Sequence, residues 1–138
     1  MVSASIILVS FSTMKRDIQH RDDIVLLVNT FYGKVQSNTI IGPIFNEIMQ
    51  VDWDAHLPKM YRFWSSILLD EHSYASNPMS IHIQMAQKTP MTEKQFSEWL
   101  RLFTQTVDEL FVGQKADEAK MRAANIARLM QYKIERGF

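Results

Sequence analysis

Cysteine is absent from all 138 residues. That one absence removes disulfides, thiolate metal sites, iron–sulfur clusters and cysteine nucleophiles together, and it fits a reducing, cytoplasmic setting. Glycine and proline are scarce, four of each, so turns punctuate the chain only sparsely. Neither sign of charge dominates: fifteen basic residues meet fifteen acidic ones, which leaves no broad field to attract nucleic acid or an anionic membrane. No apolar run approaches the roughly 20 residues of a membrane span; the candidate within MVSASIILVSFSTMKRD is far shorter and lacks a basic start. Catalytic signatures are missing too. No H-E-x-x-H, G-x-S-x-G, phosphate loop or dinucleotide fingerprint occurs.

What remains is a chain with 46% hydrophobic residues, enough to bury one core, and the length of one domain. Residues 14–138 read as that domain. Met14, Lys15, Arg16 and Asp17 resemble the beginning of a helix, so residues 1–13 read as an upstream extension, disordered or non-native. Nearly every segment between the prolines and glycines follows a 3.6-residue period, which predicts an all-α fold. In Asp22–Gln36 the stripe of Ile24, Leu27, Val28, Phe31 and Val35 adjoins a second stripe through Val25 and Tyr32, so this helix is central. Gly42-Pro43 predicts a corner. Asp52 or Asp54 caps a helix that runs to about Asp70, with Pro58 in or near its first turn. A short helix follows at Met79–Gln87. Thr92 with Gln95 predicts a capping box opening a long helix lined by Phe96, Trp99, Leu100, Phe103, Val107, Leu110 and Phe111. After Gly113 a last helix carries Ala119, Ala123, Ile126, Ala127, Met130 and Ile134.

The chemistry rests on histidines and aromatics. His20 and His72 sit among charged and loop residues and read as solvated. The pairs Asp22-Asp23 and Asp70-Glu71 lie near helix ends, where capping explains them. His56 shares a helix face with Met60 and Phe63, as a partly buried core histidine or as a ligand-facing one. His82 stands on the short, apolar PMSIHIQMA segment, which needs something to cover it. Phe31, Tyr32, Phe45, Phe63, Trp64 and Trp99 come from separate segments, and they read either as plain packing or as the lining for a flat cofactor.

Four patterns decide between these readings: NTFYGKV (Asn29–Val35), IGPIFN (Ile41–Asn46), WDAHLPKMYRFW (Trp53–Trp64), and PMSIH (Pro78–His82) followed by FSEWLRLF (Phe96–Phe103). Together they resemble the third group of the truncated haemoglobins over roughly Asp22 to Ile134. The resemblance implies a two-over-two helical sandwich around one haem b (iron protoporphyrin IX). It implies His82 as the proximal iron ligand and Tyr32, His56 and Trp99 as the polar residues of the distal side, His56 being able to swing. Phe31, Phe45, Met60, Phe63, Trp64, Met79 and Phe103 would line the haem, and Lys59 would lie near its propionates. The glycine pairs that other groups of the family place at helix corners are missing, as the third group's pattern requires.

Such a site binds dioxygen or another diatomic ligand tightly. It suits redox or reactive-species detoxification, by peroxidase-like or nitric-oxide chemistry with an unidentified reductase, more than oxygen storage. Two other classes stay open on the sequence: a haem-based gas sensor or carrier without catalysis, and a cofactor-free helical interaction module.

Overall fold

A computed structural model of the chain describes residues 14–48, 50–69 and 92–135. Four α-helices carry them: α1 (Arg21–Ser37), α2 (Trp53–Leu68), α3 (Glu93–Leu110) and α4 (Gln114–Glu135), with a π-helical turn at Ile44–Ile48. No strand occurs among the described residues, in keeping with the 3.6-residue period. The expected extension, residues 1–13, and the expected short helix at Met79–Gln87 lie outside them.

α1 is central because its sequence is apolar on two adjoining stripes. Ile24, Leu27, Val28, Phe31, Tyr32 and Val35 are all buried, and the helix packs against both α2 and α3. Polar pairs tie these contacts at their rims: Tyr61 Oη donates to Asn29 Oδ1 between α2 and α1, and Lys34 meets Glu109 at 2.8 Å between α1 and α3. The exposed ion pair adds little energy of its own. The apolar contacts fix the arrangement.

Asn38 turns the chain out of α1. Its side-chain Oδ1 accepts from the backbone N–H groups of Ile40 and Ile41 at 2.8 and 3.0 Å, while its Nδ2 donates to Glu98 on α3 at 2.6 Å. Gly42 follows where a Cβ would stand 3.0 Å from the carbonyl oxygens of Val35 and Gln36, so a side chain there would push the backbone of α1's last turn and the corner apart by a few tenths of an ångström. The π-helical turn then buries Ile44 and Phe45. In α2, Pro58 is the sixth residue, just past the first turn; it leaves the Asp54 carbonyl without its helical donor.

α3 and α4 are joined by only Phe111 to Gly113, a connection short enough to make them antiparallel neighbours. α3 opens as expected, with the Thr92 backbone N–H donating to Gln95 Oε1 at 2.8 Å. α4 presents Ala116, Ala119, Ala123 and Ala127, all buried, and these small side chains allow α3 to approach closely. Together with α1 and α2 this makes the two-over-two sandwich.

The N-terminal segment corrects the sequence reading. Met14 to Gln19 are not helical; their polar groups are engaged with the α3–α4 corner and with the start of α1. The Arg16 carbonyl accepts from Val112 N–H at 3.1 Å. Its guanidinium grips Asp23 with bonds of 2.9 and 2.6 Å. Burial alone would raise the Asp23 carboxyl, but Arg16 and the N–H groups of Gln19 and His20 outweigh it and bring its pKa down to about 2. The Asp17 carboxylate accepts from the backbone N–H groups of Lys115 and Ala116 at 2.8 and 2.9 Å, supplying from far away in sequence the cap that α4 lacks in its own. Burial disfavours the charged Asp17 carboxylate, yet these donors hold its pKa below the ordinary value.

Gly113 adopts φ +143°, and a Cβ there would fall 2.5 Å from the Asp17 carboxyl carbon. Asp17→Ala is therefore expected to lose about 1–2 kcal/mol of stability, the usual worth of a helix N-cap, and Gly113→Ala at least about 1 kcal/mol through backbone strain and that clash. Chemical denaturation of the two variants measures both. A Gly113→Ala protein as stable as the parent would disprove the close approach.

Candidate functional site

The buried aromatic residues of α1, α2, α3 and the π-helical turn meet in one cluster. Phe31 lies at its centre, edge-on to Tyr32, Trp99 and Phe103 with ring centroids 4.8, 5.6 and 5.2 Å away. Phe103 is stacked on both sides, against Trp64 at 4.8 Å and Trp99 at 6.0 Å. Phe63 stands edge-on to Trp64 at 5.2 Å and is half-buried. Met60 is buried in the same core. The spacing in α2 produces this wall, since residues 53, 56, 60 and 64 recur every three or four positions and so share a face.

Two polar rings face each other on that wall. Tyr32 and His56 stand 5.2 Å apart at 88°, and each is buried, His56 to 8% residual exposure. The sequence left His56 as a partly buried core histidine or a ligand-facing one. It is buried, because as the fourth residue of α2 it lies on the stripe that faces α1. Burial, and secondarily the charge of half-buried Lys59, lower the His56 pKa to about 4, so the imidazole is neutral at physiological pH. Burial pushes the Tyr32 phenol up, so it stays protonated and able to donate. Neither the Tyr32 hydroxyl nor the Trp99 indole N–H takes a hydrogen bond from or gives one to another described residue. Both residues are buried as a whole, Tyr32 to 2% and Trp99 to 5% residual exposure. Trp99 is one ring removed from Tyr32, with Phe31 between them.

Other expectations fare differently. His82 and Met79 lie outside the described residues, so one wall of the expected pocket does as well. Among the described residues no group of three histidines or carboxylates is arranged to hold a metal ion, and no helix is long and apolar enough to cross a membrane. Asp22-Asp23 carries capping, as read: Asp23 serves the start of α1.

No family model matches the chain. It is 29% identical over 121 residues to a group 3 truncated haemoglobin of Campylobacter jejuni, an alignment that covers 86% of this chain and 93% of the relative. The crystal structure of the group III truncated haemoglobin from Campylobacter jejuni matches the fold with a TM-score of 0.75 at 30% identity, over 88% of this chain and 95% of that one. The chain belongs to the group III truncated haemoglobins.

That family implies a haem, and the described wall fits one. It is aromatic, contributed by three helices and a turn, and it carries two donors, Tyr32 and Trp99, left without described partners. A flat apolar ring with a small polar ligand beside it would match both properties.

One residue of this truncated haemoglobin's wall is missing from the sequence-derived set. Trp53, the first residue of α2, stacks on Phe45 at 6.1 Å and 27° and touches both Tyr32, at 5.4 Å, and His56, at 5.7 Å. Its position three residues before His56, one helical turn away, was the available signal. It was obscured because a tryptophan next to a capping aspartate also reads as the edge of a helix.

A histidine whose pKa is lower folded than unfolded stabilises the fold fully above the unfolded value near 6.5, and the contribution is lost as pH falls towards 4. Up to about 3 kcal/mol is involved for a shift of this size. Lowering the pH from 7 to 4 is thus expected to destabilise the parent more than a His56→Leu variant. An imidazole NMR titration should show one histidine with a midpoint near 4, absent in that variant.

Proposed function

We propose that the chain holds a haem b through His82 and binds dioxygen or another diatomic ligand beside Tyr32, His56 and Trp99. The observation that carries this reading is the pairing of buried Tyr32, whose hydroxyl has no described partner, with a neutral His56 imidazole whose ring centroid lies 5.2 Å from the phenol ring, in a wall otherwise built largely of apolar rings. Phe31, Phe45, Met60, Phe63, Trp64 and Phe103 would supply the apolar lining together with Met79, and Lys59 would neutralise a propionate.

A haem, when bound, supplies an iron with one axial position open to a small gas. The chain's own residues decide what happens there. Tyr32 and Trp99 are donors at every physiological pH, and a hydrogen bond to a ligand carrying partial negative charge is worth about 1.5–3 kcal/mol, or roughly ten- to a hundred-fold in dissociation rate. Slow release argues against simple oxygen delivery. His56 is a weak base at pH 7, since its pKa of about 4 lies well below the working range. It is therefore better suited to controlling access than to storing a proton, and the detoxifying activity is nitric-oxide or peroxidase-like chemistry. Repeated turnover calls for electrons from a reductase.

His82→Ala is expected to remove the Soret absorbance of the purified protein; unchanged haem content and spectrum in that variant would overturn the ligand assignment. Tyr32→Phe and Trp99→Phe should speed dioxygen dissociation within the ten- to hundred-fold range above, whereas His56→Leu should act mainly on association. Stopped-flow dissociation and flash-photolysis association rates separate the two. Mixing the dioxygen-loaded protein with nitric oxide should yield nitrate. Its absence would leave ligand binding without this activity.

A further inference from the structure

We propose that Trp53 is the positioning residue that holds the His56 imidazole inside the pocket, by closing an aromatic triangle with Tyr32. The inference rests on the reading of His56 as the residue that controls access to the ligand site. It goes beyond that reading by naming what keeps the gate shut.

The three rings touch pairwise. Tyr32 and His56 are 5.2 Å apart at 88°, Trp53 and His56 5.7 Å at 82°, and Tyr32 and Trp53 5.4 Å at 54°. The imidazole thus meets two different rings edge to face, an arrangement favoured by the quadrupoles of aromatic groups. The helix makes this inevitable, because side chains tilt towards the N-terminus and a residue overlies the turn before its own. For His56 that turn carries Trp53.

The two rings that hold His56 differ in burial and in their place in the fold. Tyr32 is buried in the middle of α1 and fixed by Phe31. Trp53 opens its helix and is half-buried, and its indole is steadied by the stack on Phe45. Phe45 belongs to the π-helical turn, which is tied to the start of α2 by the bond from Val51 N–H to the Phe45 carbonyl at 3.0 Å. Between that turn and α2, Gln50 adopts φ +50°, a left-handed conformation uncommon for a residue with a side chain. The outer ring of the triangle therefore belongs to the corner, and the inner ring to the core. For His56 to swing outward it must part from both. The ionisable groups described beside it are Tyr32 from α1, which is neutral, and Lys59 from its own helix, whose charge adds to burial in favouring the neutral imidazole.

The test uses the haem-loaded full chain in its diamagnetic carbon-monoxide form. Carbon-monoxide association is measured by flash photolysis and the His56 titration by imidazole NMR, in Trp53→Ala, Trp53→Leu, Trp53→Phe, His56→Leu and the double variant Trp53→Ala/His56→Leu. Loss of the indole edge should raise association about five- to ten-fold, as expected for the loss of one aromatic pair. It should also move the His56 midpoint up from about 4 towards the ordinary histidine range, and Trp53→Phe should restore both. If Trp53 acts through His56, the double variant associates no faster than His56→Leu alone.

Additive effects in the double variant would show that the indole merely plugs a channel and would overturn the proposal. So would a His56 midpoint unchanged in Trp53→Ala and Trp53→Leu. Should His56→Leu leave association unaltered, the gate reading falls, and the titration alone then decides whether Trp53 holds the imidazole. Trp53→Leu keeps apolar bulk at the corner and provides the same readouts if the alanine variant does not fold.

Discussion

Phe31 is where the two helix pairs become one structure. It is edge-on to Tyr32 within α1 and to Trp99 and Phe103 on α3, and through Phe103 it is linked to Trp64 of α2. Fully burying a side chain of this size is worth about 1.5–3 kcal/mol, and the edge-to-face pairs add to that. The larger effect is geometric. With Phe31 held on several sides, the next residue, Tyr32, has no freedom to choose its direction, and its hydroxyl is delivered into the cluster. The same packing sets where Trp99 can place its indole N–H. The polar equipment of the site is thus positioned by apolar contacts.

That arrangement has an electrostatic consequence. A tyrosine and a histidine buried together in an apolar wall each retreat to their neutral forms, the phenol by resisting deprotonation and the imidazole by resisting protonation. Lys59 reinforces the second effect. The result is a pair of neutral hydrogen-bonding groups, suited to a small ligand with partial charge and poorly suited to a strongly charged one.

The opposite end of the molecule is held by a different kind of interaction. Arg16, Asp17 and Ile18 join the start of α1 to the corner between α3 and α4, with Asp17 capping a helix nearly a hundred residues further on and Ile18 buried beneath. These bonds are charge-assisted and lie at a helix N-terminus, where backbone N–H groups would otherwise be unsatisfied. They explain why α4 needs no capping residue of its own and why Gly113 must have no side chain.

Much of this was legible in the residues themselves. The spacing of apolar positions determined the helices, because a 3.6-residue period has one physical interpretation when turns are few. The capping pair Thr92 and Gln95 located the start of α3, and the Gly42-Pro43 corner followed from local backbone chemistry. The distal set of Tyr32, His56 and Trp99 came from the family resemblance. Sequence periodicity could assign each to a face, but not say which faces would meet. Tertiary packing decided the rest. It buried His56, which the local pattern left between a partly buried and a ligand-facing position; it kept Met14 to Gln19 out of the helix, since their partners lie at the α3–α4 corner and the start of α1; and it brought Trp53 into the triangle with Tyr32. The reason is the same in each case: the free energy of those residues is set by groups distant in sequence, and no local pattern records a contact made only when the chain has folded.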